Sequence, residues 1–117
     1  MLPTEDEWHK AAYFKSDGSG YTRYATGDSV PIAGRQGENY NKVMTTPWPI
    51  GWGGVENNGT LNMGGNVFEW NEQIISMNRG LRGGSWNSSN FYLQSSNRYI
   101  GDPTLVYSGG GFRVAGP

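Results

Sequence analysis

Near the start of the chain, apolar and polar positions alternate with helical spacing. Trp8, Ala11, Ala12 and Lys15 fall at i, i+3, i+4 and i+7. They share one face, the lysine burying only its stem. Thr4-Glu5-Asp6-Glu7 comes just before, and has the pattern of a capping box. The Thr4 hydroxyl takes one unpaired helix N–H, and Glu7 reaches back to the N–H of the cap. Acids in the first turn complement the positive end of the helix dipole, as Lys10 and Lys15 complement the other end. The pattern predicts a helix over residues 5–14, stopped by Ser16-Asp17-Gly18-Ser19-Gly20.

Residues 21–60 show no sustained period. Short apolar pieces alternate with turn formers, as in SVPIAG and TTPWPIG, and Asn57-Asn58-Gly59 is a turn signal. This predicts long loops with a few short strands. So long an irregular segment in a compact domain needs something to pin it, such as a metal or bound water. Three strand patterns follow: Val67-Phe68-Glu69-Trp70-Asn71, then Gly80-Leu81-Arg82-Gly83-Gly84-Ser85-Trp86, then Gly111-Phe112-Arg113-Val114-Ala115. Between the last two lies a polar stretch over residues 87–110, rich in Asn, Ser, Tyr and Gly. No repeat or linker divides the chain, so one domain over residues 1–117 is expected. The fold class is α+β: one clear N-terminal helix, a small twisted antiparallel sheet and long irregular loops.

Composition changes this picture in one respect. Aliphatic residues are few, glycine is 19 of 117 residues against roughly 7% in ordinary usage, and aromatics reach 14%. The core must therefore be built from a few large rings. So many rings at a net charge of −1 are not a disordered composition. The scattered arginines argue against a nucleic-acid partner. No apolar run approaches a membrane span. The acidic start MLPTEDEW is not a signal peptide, which favours the cytoplasm for the chain as it stands. There is no cysteine. Disulfides and thiolate metal sites are excluded, but the compartment is not decided.

The chemically richest segment is Asn62-Met63-Gly64-Gly65-Asn66-Val67-Phe68-Glu69-Trp70. It offers an amide oxygen, freely turning backbone and a carboxylate, all of which are hard-cation donors. From the residues alone two readings stand: a cation loop, or a turn before a strand with Glu69 paired to an arginine. His9, the only histidine, is expected to be solvated on its helix, and alone it supports neither a zinc site nor a Ser-His-Asp set. Arg82, Arg98 and Arg113 are expected to make structural forks to carboxylates and carbonyls.

Taken in order, several segments resemble one family. Leu2-Pro3-Thr4-Glu5-x-Glu7-Trp8-x-x-Ala11-Ala12 is similar to the "LPTEAEWEYAA" helix of the formylglycine-generating enzyme/sulfatase-modifying factor family. The Asn62–Trp70 segment resembles its "DMxGNVWEW", Arg82-Gly83-Gly84-Ser85-Trp86 its "RGGSW", and Gly111-Phe112-Arg113-Val114 its closing "GFRV". The resemblance implies a C-type-lectin-like fold, with Trp8, Trp70, Arg82, Trp86, Arg98 and Arg113 as structural residues. It also implies calcium, held by Asn62, the carbonyls of Gly65 and Val67, and Glu69. A second family calcium site would fall at Asn39-Tyr40 or Asn41.

Two departures shape the functional expectation. The family's oxidases hold copper with a cysteine pair; this chain has none, so no copper and no cysteine oxidation are expected. Iron chemistry fares no better, because one histidine cannot supply two His and a carboxylate. The family domain also has a substantial region before its LPTE helix, which implies an N-terminally truncated form here, with a homodimer as one way to cover the exposed edge. Variable proteins related to this family bind ligands between the same two final motifs. Asn90, Tyr92, Tyr99 and Tyr107 are therefore the candidate contacts to an unknown protein or glycan. The expectation is a non-catalytic, calcium-stabilised, lectin-like binding or scaffold domain. The alternatives are an oxidoreductase-type family member and a truncated remnant without a selected activity.

Overall fold

The computed structural model describes residues 1–105 and 109–115. The helix α1 spans Glu5–Tyr13 and is capped as its sequence requires. Glu7 N–H donates to Thr4 Oγ1 (3.1 Å), and Thr4 N–H donates to Glu7 Oε1 (2.8 Å). The helix ends at Phe14, whose backbone is extended while its N–H still donates to the Lys10 carbonyl. The buried face is Trp8, Ala12 and Tyr13, with Ala11 exposed. It is rotated from the expected stripe because Tyr13 goes inward, where its hydroxyl donates to the Leu93 carbonyl (3.1 Å).

Four strands form one sheet in the order β3-β2-β1-β4. They are β1 (Phe68–Ile75), β2 (Asn78–Arg82), β3 (Tyr99–Gly101) and β4 (Gly110–Gly111). A short 3₁₀ turn, Asn90–Leu93, lies between β2 and β3. The β1–β2 pair is antiparallel, as expected; the β2–β3 pair is antiparallel too, but β3 lies within the polar stretch of residues 87–110, where no strand pattern is visible in the sequence. The β1–β4 pair is parallel, with Phe68 opposite Gly110 and Glu69 opposite Gly111, so the sheet is mixed. A period-2 pattern identifies a strand but not its direction.

Strand bounds also differ from the sequence expectation. β1 continues to Ile75 and turns back through Ser76-Met77, where Ser76 has φ 58°. The exposed Ile74 and Met77 hide this hairpin from an amphipathic reading. β2 stops at Arg82 because Gly83 and Gly84 take positive φ (98° and 76°). A Cβ on Gly83 would lie 2.3 Å from the Met63 carbonyl oxygen, so only glycine lets the chain pass there. The closing segment is strand only at Gly110–Gly111, not through Ala115.

Rings make the core, as the composition predicts. Trp8, Tyr13 and Met63 pack with Ala12 and Ala25, and a second group joins Tyr24, Tyr40 and Leu93. Side chains pin the loops between α1 and β1. Asn66 Oδ1 accepts from the Trp48 N–H (2.7 Å) and from Asn39 Nδ2 (3.1 Å), and Asn66 Nδ2 donates to the Trp48 carbonyl (3.3 Å). One amide thereby joins three loop segments.

Candidate functional site

The loop from Asn62 to Glu69 folds back between residues 48–52 and α1. Asn62 stands at φ 60° and Gly65 at φ 78°. Trp48 Nε1–H donates to Asn62 Oδ1 (2.8 Å), while Asn62 Nδ2 donates to the Trp52 carbonyl (3.1 Å). Gly65 N–H donates to the Gly83 carbonyl (2.7 Å) and lies so close to Asn39 that a Cβ would be 2.5 Å from the Asn39 carbonyl oxygen. Glu69 is 4% exposed. Its Oε1 accepts from Trp8 Nε1 (2.8 Å) and Arg113 Nε (2.6 Å), and its Oε2 from an Arg113 terminal nitrogen (2.9 Å). Desolvation raises the Glu69 carboxyl, and the Arg113 and Trp8 bonds pull it back. Burial lowers Arg113, but the bonds to Glu69 outweigh it and the guanidinium is held more firmly charged. The two form an ion pair with its carboxylate buried and its guanidinium partly exposed.

This geometry bears on calcium. A calcium ion takes six to eight oxygens at about 2.3–2.6 Å. The only side-chain oxygens in the set Asn62, Gly65, Val67 and Glu69 already accept N–H bonds, and a guanidinium fills the place of the cation at Glu69. As arranged, the two side chains are engaged, and the Gly65 and Val67 carbonyls by themselves are too few oxygens for the ion. The second position differs: Asn39 Nδ2 donates to the Thr46 carbonyl and to Asn66 Oδ1, while Asn39 Oδ1 is buried and accepts from no donor among the described residues.

The buried acids that sequence reasoning missed are Glu38 and Glu56, 1% and 3% exposed. Glu56 is fully satisfied: its Oε1 accepts from the Thr60 hydroxyl (2.8 Å) and the Met63 N–H (3.1 Å), and its Oε2 from the Gly64 N–H (2.9 Å). No N–H or hydroxyl of the described residues reaches either oxygen of Glu38. Burial first, and then the charge of Glu56 beside it, push the Glu38 carboxyl up to about 11. Glu38 therefore carries its proton at neutral pH and bonds Glu56 with it. No local spacing signals the pair, because its members sit on two separate loops.

The arginines divide. Arg82 forks onto Glu5 (2.6 Å at the closest) and donates to the Ser95 and Asn97 carbonyls, both at 2.7 Å. Burial raises the Glu5 carboxyl, but Arg82 outweighs it and the net direction is down. Arg113 also makes a fork. Arg98 does not: it is exposed and donates to the Gln73 side-chain carbonyl (2.8 Å). His9 is not solvated as expected. It is half-buried, its ring lying 5.0 Å from Tyr13 and 4.8 Å from Tyr21, and burial followed by Arg82 lowers its pKa. Trp70 packs over Gly101, where a Cβ would lie 2.9 Å from the indole.

The expected ligand contacts lie on a different face. Phe68 of β1 and Tyr99 of β3 stack, their centroids 5.1 Å apart and their planes at 30°. Tyr92 stands edge-on to Phe68 (6.2 Å) and to Tyr99 (6.4 Å), and Phe91 edge-on to Tyr92 (5.4 Å). Beside them is a groove of about 320 Å³, lined by Phe68, Leu81, Ser85, Trp86, Asn87, Tyr99, Gly109 and Gly110. Tyr92 and Tyr99 are thus brought together. Asn90 starts the 3₁₀ turn and does not line the groove, and Tyr107 lies outside the described residues. Phe68, Ser85 and Asn87 were not anticipated as contacts: Phe68 belongs to the Asn62–Trp70 segment, Ser85 to the RGGSW segment and Asn87 follows it, and none has a local pattern that signals a ligand.

Comparison with known proteins agrees with this architecture. The family described as "Sulfatase-modifying factor enzyme 1-like domain" matches residues 1–116. The chain is 30% identical over 137 aligned residues to the serine/threonine-protein kinase Pkn1 of Chlamydia trachomatis serovar L2, which covers 97% of this chain and 20% of the kinase. Treponema denticola variable protein 1 shares the fold with a TM-score of 0.74 at 23% identity, over 96% of this chain and 45% of that one. The solved structure of CarF does so with a TM-score of 0.61 at 26% identity and the same coverage. The chain thus spans a fifth of the kinase and less than half of either solved chain. The chain belongs to the sulfatase-modifying factor family, and its fold is the α+β, C-type-lectin-like fold of that family.

Proposed function

We propose that this sulfatase-modifying factor domain is a non-catalytic binding module, and that its ligand surface is the aromatic face of β1 and β3 with the adjoining Ser85-Trp86-Asn87 turn. One observation carries the reading. Trp8, Tyr13, Tyr24 and Tyr40 are each 2% exposed or less and supply the core, whereas Phe91 and Tyr99 stay 55% and 48% exposed in one cluster beside a groove. Rings that the core does not need, gathered at one concave place, are what ligand sites use. Tyrosine adds a large contact area with few rotatable bonds and a polar tip.

Catalysis finds less support. The buried carboxyl pair Glu38 and Glu56 has almost no exposure, so a substrate cannot reach it. The cavity of about 610 Å³ over Asn62 and Glu69 presents side-chain oxygens that are already bonded. Among the described residues, no helix is long and apolar enough to cross a membrane. The partner proposed is an unknown protein or glycan, and self-association into a homodimer is a separate question that size-exclusion with light scattering answers.

The test is a paired screen of the 117-residue chain and its Tyr99→Ala variant on glycan and peptide arrays. Hits that vanish in a variant with an unchanged melting temperature support the surface. Hits that persist at equal strength place binding elsewhere and overturn it.

A further inference from the structure

Building on the binding surface just described, we infer that its ligand is an uncharged carbohydrate, one sugar ring lying on the Tyr99 side of the Phe68–Tyr99 stack. The groove has the size for it: about 320 Å³ is at the low end of the roughly 300–1,000 Å³ of ligand pockets.

Charge is the first argument. None of the lining side chains is ionisable in the neutral range: they are Phe68, Leu81, Ser85, Trp86, Asn87 and Tyr99, with two glycines. A charged ligand entering such a groove would lose hydration and find no counter-charge, which is costly. A neutral ligand avoids that loss. Of the cations on neighbouring segments, Arg98 bonds Gln73 and Arg82 bonds Glu5, while Lys42, whose backbone N–H donates to the Trp86 carbonyl, does not line the groove.

Ring geometry is the second. Tyr92 braces the Phe68–Tyr99 stack edge-on, so the outer face of Tyr99 is held as a flat platform. An aromatic face carries the negative lobe of its quadrupole. The C–H face of a pyranose is its weakly positive, apolar side, and it stacks there while its hydroxyls point to the rim.

The rim supplies the third. Ser85 Oγ–H donates to Asn87 Oδ1 (2.8 Å), which fixes the amide so that both Nδ2 hydrogens remain for a ligand. Asn87 is exposed. A planar amide beside a ring platform matches two adjacent sugar oxygens. An extended peptide is served less well. Strand addition draws its affinity from a run of main-chain bonds, and the sheet edges here are three residues (β3) and two residues (β4) long.

The experiment titrates the full chain, followed by Trp fluorescence and calorimetry, with array hits drawn from neutral hexose and N-acetylhexosamine oligosaccharides, from sialylated or sulfated ones, and from peptides. Neutral glycans should bind, and Tyr99→Ala and Asn87→Ala should each weaken them about tenfold or more. Tyr99→Phe should retain most of the stacking affinity. If only charged glycans or only peptides bind, and Tyr99→Ala abolishes it, the surface stands and the ligand class is overturned. If neutral glycans bind but neither variant matters, the surface reading itself falls. Absence of any glycan hit overturns the inference, whatever the peptides do.

Discussion

Two regions of this small domain treat polarity in opposite ways. The side of the sheet that meets α1 and the loops buries charge. Glu69 is locked to Arg113 and Trp8, Glu5 to Arg82, and Glu38 faces Glu56. The groove beside Phe68 and Tyr99 is lined, among the described residues, without a single charged side chain. A chain poor in aliphatic residues cannot hold long loops by apolar burial alone. It fixes them with buried acids, each saturated by donors or by a proton. This leaves the outer rings unused by the frame and available to a ligand.

The largest test of the contrast breaks a charged tie. Glu69→Ala removes three bonds at once and leaves Arg113 and the Trp8 indole without their acceptor. Losing one partner of a buried pair costs about 3–5 kcal/mol; Arg113 is 31% exposed, so about 3 kcal/mol is expected. Urea unfolding measures it. A loss below about 1 kcal/mol would show that the pair does not hold the loop.

Next comes the proton on Glu38. Its carboxyl is raised in the fold to about 11, far above its ordinary 4.5. A raised acid binds a proton on folding, so its stabilisation is complete below pH 4.5 and is lost as pH rises toward 11. The expected slope is about −1.4 kcal/mol per pH unit through the neutral range. Glu38→Gln keeps the shape and a donor for Glu56 but cannot titrate. Its unfolding free energy should be flatter with pH than that of the parent, and curves of equal slope would sink the assignment.

Smaller effects separate frame from face. Thr4→Ala removes the acceptor for the Glu7 N–H and should cost about 1 kcal/mol in thermal or urea unfolding. Tyr99→Ala, on the neutral face, should cost about 1 kcal/mol or less while weakening ligand binding about tenfold or more. If Tyr99→Ala proves as costly as Glu69→Ala, its ring belongs to the core and the contrast collapses.

What the sequence discloses follows the same division. The Thr4–Glu7 cap is legible because both partners lie within one turn. The Glu69–Arg113 pair is legible only as one of two readings, since its members are 44 positions apart. Glu38 and Glu56 give no signal, because each sits in a loop without a period. Gly83 shows why some motifs look local but are not. Its need for glycine comes from the Met63 carbonyl and the Trp8 ring, which reach it from other segments. The parallel β4 was hidden for a similar reason: direction is set by where the chain returns, not by alternation within two residues.

The smallest expected effect is the one that the family resemblance makes most informative. Calcium at about 1 mM should leave the melting temperature unchanged. An ion held at Kd about 10 μM would stabilise the fold by about 2.7 kcal/mol at that concentration, enough to shift the melting temperature of a domain this size by roughly 10 °C. To gain that, the ion would have to displace Trp48 from Asn62 and Arg113 from Glu69. Each displaced donor would be left buried or half-buried without its acceptor, at about 1–3 kcal/mol apiece. The expected balance is near zero. A calcium-dependent rise that disappears in Glu69→Gln would instead show that Glu69 exchanges its guanidinium for the metal, and the charged side of the molecule would then be switchable rather than fixed.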